Sequence, residues 1–212
     1  MSDLGLPMTD PMALACHEGR KTVTRRPMSA QPTHVDVKDM FDGRVRATVW
    51  LPAGGADLRV IGVASTRDAA LMDALGPAII PGAGTAEVGG RVWIRECFAV
   101  EIGDTPLCGS IAGMRGGGGV TVRYRASGDT LKLAADGWRP SIHMPKWAAR
   151  TWGAITSARP ERLQDITDKD ANREGFGSVD AFRGTWDTLY KARGLGWDAN
   201  PWVFRIEWAY ND

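Results

Sequence analysis

The residues that could do chemistry sit together near the start of the chain. The run from Gly19 to Arg26, GRKTVTRR, sets four cationic side chains, Arg20, Lys21, Arg25 and Arg26, around the hydroxyls of Thr22 and Thr24. Three readings are open. Charges along a solvated strand edge block edge-to-edge aggregation. Arginines that follow a helix C-terminus can hold a phosphate through charge-assisted hydrogen bonds. A lysine crowded by arginines has its ammonium form disfavoured, and can then act as a base toward a nearby hydroxyl. The last reading requires a turn between Lys21 and Thr24, because a regular strand puts residues three apart on opposite faces.

Two further charged features stand out. Glu174 falls in the last turn of a predicted helix, where the macrodipole disfavours an anion. It is either a surface glutamate in a poor local position or the partner of a cation, and the GRKT run is the natural source of one. Arg95 and Glu96 interrupt an apolar stretch, residues 92–100. Strand alternation puts Trp93, Arg95 and Cys97 on one face and Ile94, Glu96 and Phe98 on the other. One of the two charges therefore faces inward, and Glu96 is expected to pair with the GRKT cations.

The elements that must position these groups are short. Asp10 is the expected N-cap of a helix with Pro11 at its first position, ending at Gly19. Pro27 forces Arg26 into an extended conformation. Strands are predicted over residues 45–51, 58–64, 92–100 and 120–126, within 151–166, and at the closing WVFRIEWAY. Residues 66–90, rich in Ala, Gly and Pro, read as an excursion. Residues 111–119 read as a flexible loop without the G-K-[ST] ending of a phosphate loop. Thr167 caps a helix that Gly175 ends, and Ser178 caps another whose Val179, Phe182, Trp186, Leu189 and Tyr190 share one face. The sum is α+β, most simply a small barrel carrying helices at its ends.

Composition narrows the partners. The 212 residues carry 26 Lys and Arg against 25 Asp and Glu. That balance excludes gripping long nucleic acid by bulk charge, while leaving room for a local basic patch. Cys16, Cys97 and Cys108 are far apart, and His17, His34 and His143 are scattered, so neither a disulfide scaffold nor a metal site is expected. No cofactor is expected. No apolar stretch approaches the roughly 18 residues of a membrane span, and the first residues lack an apolar signal core. A soluble, cytoplasmic protein with no membrane partner is the expectation. The nine tryptophans serve chiefly as packing, with Trp186 in the core. Trp138 and Trp147, beside Arg139, Lys146 and Arg150, are the better candidates for stacking on a base. His143, between Ile142 and Met144, reads as structural from its neighbours alone.

Three stretches resemble the ASCH family, a branch of the PUA-like β-barrels. They are EGRKTVTRRP, which is similar to the family's G-x-K-T-x-T-x-R signature; GGRVWIRECFA, similar to a strand of that family; and ERLQDITDKDANREGF with the helix and the WVFRIEWAY strand that follow. WRPSIHMPKWAAR with WDANPWV looks like a longer subgroup common in bacteriophage and prophage genomes. The resemblance covers roughly residues 9–27, 88–100 and 120–210, leaving insertions at about 28–87 and 101–119 in one domain of about twice the compact members' length. It implies a PUA-like mixed β-barrel with flanking helices. Some ASCH proteins resemble N4-acetylcytidine amidohydrolases, which remove an acyl group from the exocyclic nitrogen of a cytosine nucleoside. Carried over by motif, Lys21 is the base, Thr24 the nucleophile and Glu174 the acid or base. Arg20, Thr22, Arg26, Arg95, Glu96, Trp138, Arg139, His143 and Trp147 are then candidates for holding a modified nucleoside or RNA. The alternatives are an RNA- or nucleotide-binding module without catalysis, and a ribonuclease using the same cleft.

Overall fold

A computed structural model describes residues 3–53, 56–76, 78–80, 84–102, 105–106, 120–129 and 137–210. Cys108 and the Gly-rich segment 111–119 lie outside the described residues. In chain order the first elements are β1 (Asp3–Pro7), α1 (Asp10–His17), β2 (Val23–Pro27), β3 (His34–Asp39), β4 (Val45–Ala53) and β5 (Ala56–Ala64). Next come α2 (Arg67–Leu75), β6 (Ala78–Ile80), β7 (Gly84–Ala86), β8 (Arg91–Arg95), β9 (Phe98–Ile102) and β10 (Thr105–Pro106). The chain continues with β11 (Val120–Tyr124), β12 (Trp152–Arg162), α3 (Asp168–Arg173), α4 (Val179–Tyr190) and β13 (Trp202–Tyr210).

Alternation along β13 organises the main sheet. Trp202, Phe204, Ile206 and Trp208 point into the principal core with Leu4, Leu6, Val92, Ile94 and Ile155. Val203 joins a second core with Phe182, Trp186 and Tyr190 of α4, and Arg205 alternates onto Val203's face. The sheet runs β1-β8-β12-β13-β2, with β1 parallel to β8 and the other pairs antiparallel. Here the structure corrects an expectation. The described sheets do not close into a barrel, and β1 and β2 are free edges. The architecture is mixed α+β.

Three local expectations also change. Residues 92–100 are two strands, not one: β8 pairs with β1 and β12, whereas β9 turns away to pair with β10 and β11. The α1 N-cap is Thr9 rather than Asp10. Residues 66–90 contain α2, which Thr66 caps by accepting from Ala69 N.

Residues 34–75 have a small core of their own. Sheet β3-β4-β5 lays Ala47, Val49 and the partly buried Val35, Val37 and Val60 against Ala70, Leu71 and Ala74 of α2. Gly62 permits the contact. A Cβ there would lie 2.2 Å from Ala70 O and 2.4 Å from Ala74 N, which are backbone atoms that cannot swing aside.

Candidate functional site

Lys21 precedes β2 rather than lying in it, so strand parity does not fix its side chain. Its backbone N donates to Ala15 O at 2.9 Å, and Thr22 N donates to Arg173 O at 2.9 Å. The GRKT segment is thereby pinned between the C-terminal ends of α1 and α3. Glu174 is the C-cap of α3. The chain leaves the helix through Gly175 at φ +89°, a conformation that favours glycine, and a Cβ there would press on Ala15 Cβ at 3.2 Å. These constraints bring Lys21 and Glu174 together across 153 positions of sequence, with Nζ to Oε2 at 2.6 Å.

Both groups are buried. Lys21 Nζ also donates to Val23 O and Glu174 O, each at 2.8 Å. All three ammonium donors are therefore engaged, and Lys21 answers the poor helix-dipole position of Glu174. The other carboxylate oxygen, Oε1, accepts from Arg25 Nη1 at 3.2 Å.

Arg25 extends this pair into a network. Its side chain is fully buried and donates to Glu161 Oε1 at 2.7 Å and Asp170 Oδ2 at 3.1 Å as well. The register places Arg25 directly opposite Arg205, a like-charge pairing that would be destabilising alone. Asp170 bridges the two, accepting from Arg205 Nη2 at 2.8 Å. Burial opposes ionisation of Asp170, but hydrogen bonds and charge from Arg205 and Arg25 outweigh it and hold the carboxyl below its usual range. At Glu161 burial wins, and the carboxyl lies above its usual range despite Arg25, Arg205 and Arg159.

Beside this network, at the free edge of β2, opens a cleft of about 250 Å³. Lys21, Thr24, Arg26 and Glu174 line it together with aromatic residues of α4, Trp186 and Tyr190. Thr24 is nearly buried, and its hydroxyl has no hydrogen-bond partner among the described residues. Arg26 is held by Pro7 O at 2.8 Å and Tyr190 Oη at 3.3 Å, while its buried Nε has no partner. The three residues expected to act together thus share one cleft.

The other expected residues disperse. Arg20 is exposed and donates from Nε to Glu18 at 2.7 Å. Thr22 accepts from Arg173 Nε at 3.2 Å. Glu96 is buried but does not pair with the GRKT cations. It forms a bidentate pair with Arg150 at 2.9 and 2.8 Å, because the chain bends after β8 and carries it toward the residue 137–150 segment. Arg95 donates to Ile142 O. Arg139 bridges to the Phe98 backbone, His143 is exposed, and Trp147 packs on the Phe98, Val100, Met144 cluster. Trp138 lines a neighbouring hollow that shares Met8, Thr9 and Ser141 with the cleft. Glu161, Asp170 and Arg205 are not anticipated, and Arg25 is anticipated only as one cation of the GRKTVTRR run, not as a buried hub. Arg205 alone left a signal, a charge between Phe204 and Ile206 in an apolar strand.

Behind Lys21, Cys16 is buried and Tyr210 half-buried, with Tyr210 Oη donating to Lys21 O. Burial pushes the Cys16 thiol up from about 9 to about 11, against the pull of Lys21 and Tyr210, and burial also raises Tyr210. Above about pH 9 the unfolded chain releases the Cys16 proton while the folded chain keeps it. The stabilisation is therefore complete below that pH and is lost as pH rises toward 11. A shift of this size corresponds to about 3 kcal/mol. Urea midpoints measured up this range should fall, and Cys16→Ala should flatten the fall; equal slopes in the two proteins would contradict it.

Comparison with known protein families, curated proteins and solved structures finds no match to this chain. Among the described residues no helix is long and apolar enough to cross a membrane.

Proposed function

We propose that the chain is an ASCH-type amidohydrolase of PUA-like descent that removes an acyl group from N4 of a modified cytosine nucleoside. The observation that carries this reading is the 2.6 Å contact between Lys21 Nζ and Glu174 Oε2 at a cleft that Thr24 also lines. An ammonium with three acceptors cannot take a further proton. In the proposed reaction one proton passes along the short contact to Glu174 Oε2, and the neutral amine then turns its lone pair from Glu174 toward the Thr24 hydroxyl and takes its proton. Thr24 Oγ1 then attacks the acyl carbonyl and forms a C–O bond. Collapse of the tetrahedral species breaks the C–N bond, and the departing N4 takes a proton from Lys21. Water then gives a proton to Lys21 as its oxygen attacks the acyl-threonine ester; the bond from the acyl carbon to Thr24 Oγ1 breaks, and Oγ1 takes the proton back from Lys21 as the carboxylic acid leaves. Arg26, held by Pro7 and Tyr190 at the cleft, is the residue we assign to stabilising the developing oxyanion. Buried Trp186 and Tyr190 form the apolar floor of the cleft, and the exposed Leu189 offers surface for the base.

Incubating the protein with a panel of N4-acyl cytidines and separating the products by chromatography tests this directly. Free carboxylate and cytidine are the expected products. No turnover on any member would overturn the reading. The second reading, a module that binds RNA or nucleotides without catalysis, is favoured by one feature: every Lys21 donor is already satisfied within the protein.

A further inference from the structure

The sheet β3-β4-β5 has one face against α2 and the other turned outward. On the outward face His34, Trp50 and Arg59 stand directly opposite one another across the three strands. The His34 and Trp50 rings are 4.8 Å apart, and the Arg59 guanidinium carbon is 5.9 Å from the Trp50 ring centroid. Four residues back along β4, about 13 Å away at strand rise, Arg46 stands opposite Lys38. His34, Lys38, Arg46 and Arg59 are exposed. The face has one carboxylate among its described side chains, Asp36, and it is matched by Lys38 at 3.0 Å. Arg46 and Arg59 have no carboxylate partner among the described residues, so the face is locally basic on a chain with a formal net charge of only +1. His34 also borders a polar hollow of about 640 Å³ lined by Arg67, Arg159 and Arg162, with Asp68, Glu161 and Asp165 among them. Arg159 is paired there with Asp68 and Glu161, and Arg67 has no partner among the described residues.

We propose that this outward face binds single-stranded nucleic acid. One base stacks on Trp50 between His34 and Arg59, and the adjoining phosphates lie along Arg46. An aromatic ring flanked by an imidazole and a guanidinium on an open sheet fits a base face and its backbone together, and base faces are available only when the strand is unpaired. The surface is distinct from the Lys21 cleft, and the proposal stands whether or not that cleft is catalytic.

The test is fluorescence anisotropy of a labelled single-stranded RNA oligomer titrated with the whole protein at low and moderate salt. Binding that weakens with salt is expected, with a duplex of the same sequence binding more weakly. Trp50→Ala should weaken binding by about tenfold, and Trp50→Phe, which keeps an aromatic ring, should restore most of it. Arg46→Ala should lower the salt slope by about one. Thermal melts establish that each variant is folded. Absence of binding at low salt overturns the proposal. So does wild-type affinity in both Trp50→Ala and Arg46→Ala, which would place the strand elsewhere on the protein.

Discussion

Glu174→Ala should lower folding stability by about 3–5 kcal/mol, the range for removing one partner of a buried ion pair. For a chain of this size that is on the order of 10 °C in Tm. The reason lies in what remains behind. Lys21 would keep two carbonyl acceptors but no counter-charge, and Arg25 Nη1 would lose its carboxylate. Water cannot easily replace it, since the side chains of Lys21 and Arg25 are 2% and 0% exposed. Glu174→Gln keeps acceptors for Lys21 and should lose less. The double variant Lys21→Met with Glu174→Leu removes both charges at once and should recover most of the single-variant loss, because the desolvation cost of the pair disappears with it. Thermal melts of the four proteins decide the matter. If Glu174→Ala melts like the wild type, the pair is solvated and the description of a buried network fails.

How far the sequence revealed this network depends on distance along the chain. The helix of Phe182, Trp186 and Tyr190 was legible because helical period is local: residues four apart share a face, and all three are buried. The caps at Thr167 and Ser178 were legible for the same reason, and both accept from the residue three positions on. Glu174 was legible as an anomaly, an anion where the dipole opposes it. Arg25 was not. In a cationic run it reads as a solvated edge, an anion site or part of a catalytic set, and only the arrival of Glu161 from β12 and of Asp170 and Glu174 at and just beyond α3 makes it a buried hub. No local pattern encodes that meeting. The same limit explains Glu96, whose partner Arg150 lies 54 residues away, and the single strand expected over residues 92–100. Alternation alone cannot show that β8 and β9 join different sheets. In α2 the Ala-rich composition concealed a helix whose small side chains let it sit against Gly62.

Thr24→Val should abolish amide hydrolysis, with a loss of at least about a thousandfold in kcat/KM, while leaving the protein folded. Stability and activity separate at this residue as they do not at Glu174. The Thr24 hydroxyl has no hydrogen-bond partner among the described residues, so exchanging it for a methyl group strands no donor or acceptor, and the change in stability should stay within about 1 kcal/mol. Its backbone pairing with Ile206 is untouched, and valine suits a strand as well as threonine does. What disappears is the atom that would form the acyl ester. Thr24→Ser restores a hydroxyl without the methyl group that fixes its rotamer, and should recover part of the rate. Mass spectrometry adds an independent readout: brief incubation with an N4-acyl cytidine should add one acyl group to the wild type and none to Thr24→Val. Full turnover by Thr24→Val would remove Thr24 as nucleophile and leave a water molecule activated by Lys21 and Glu174 as the attacking group.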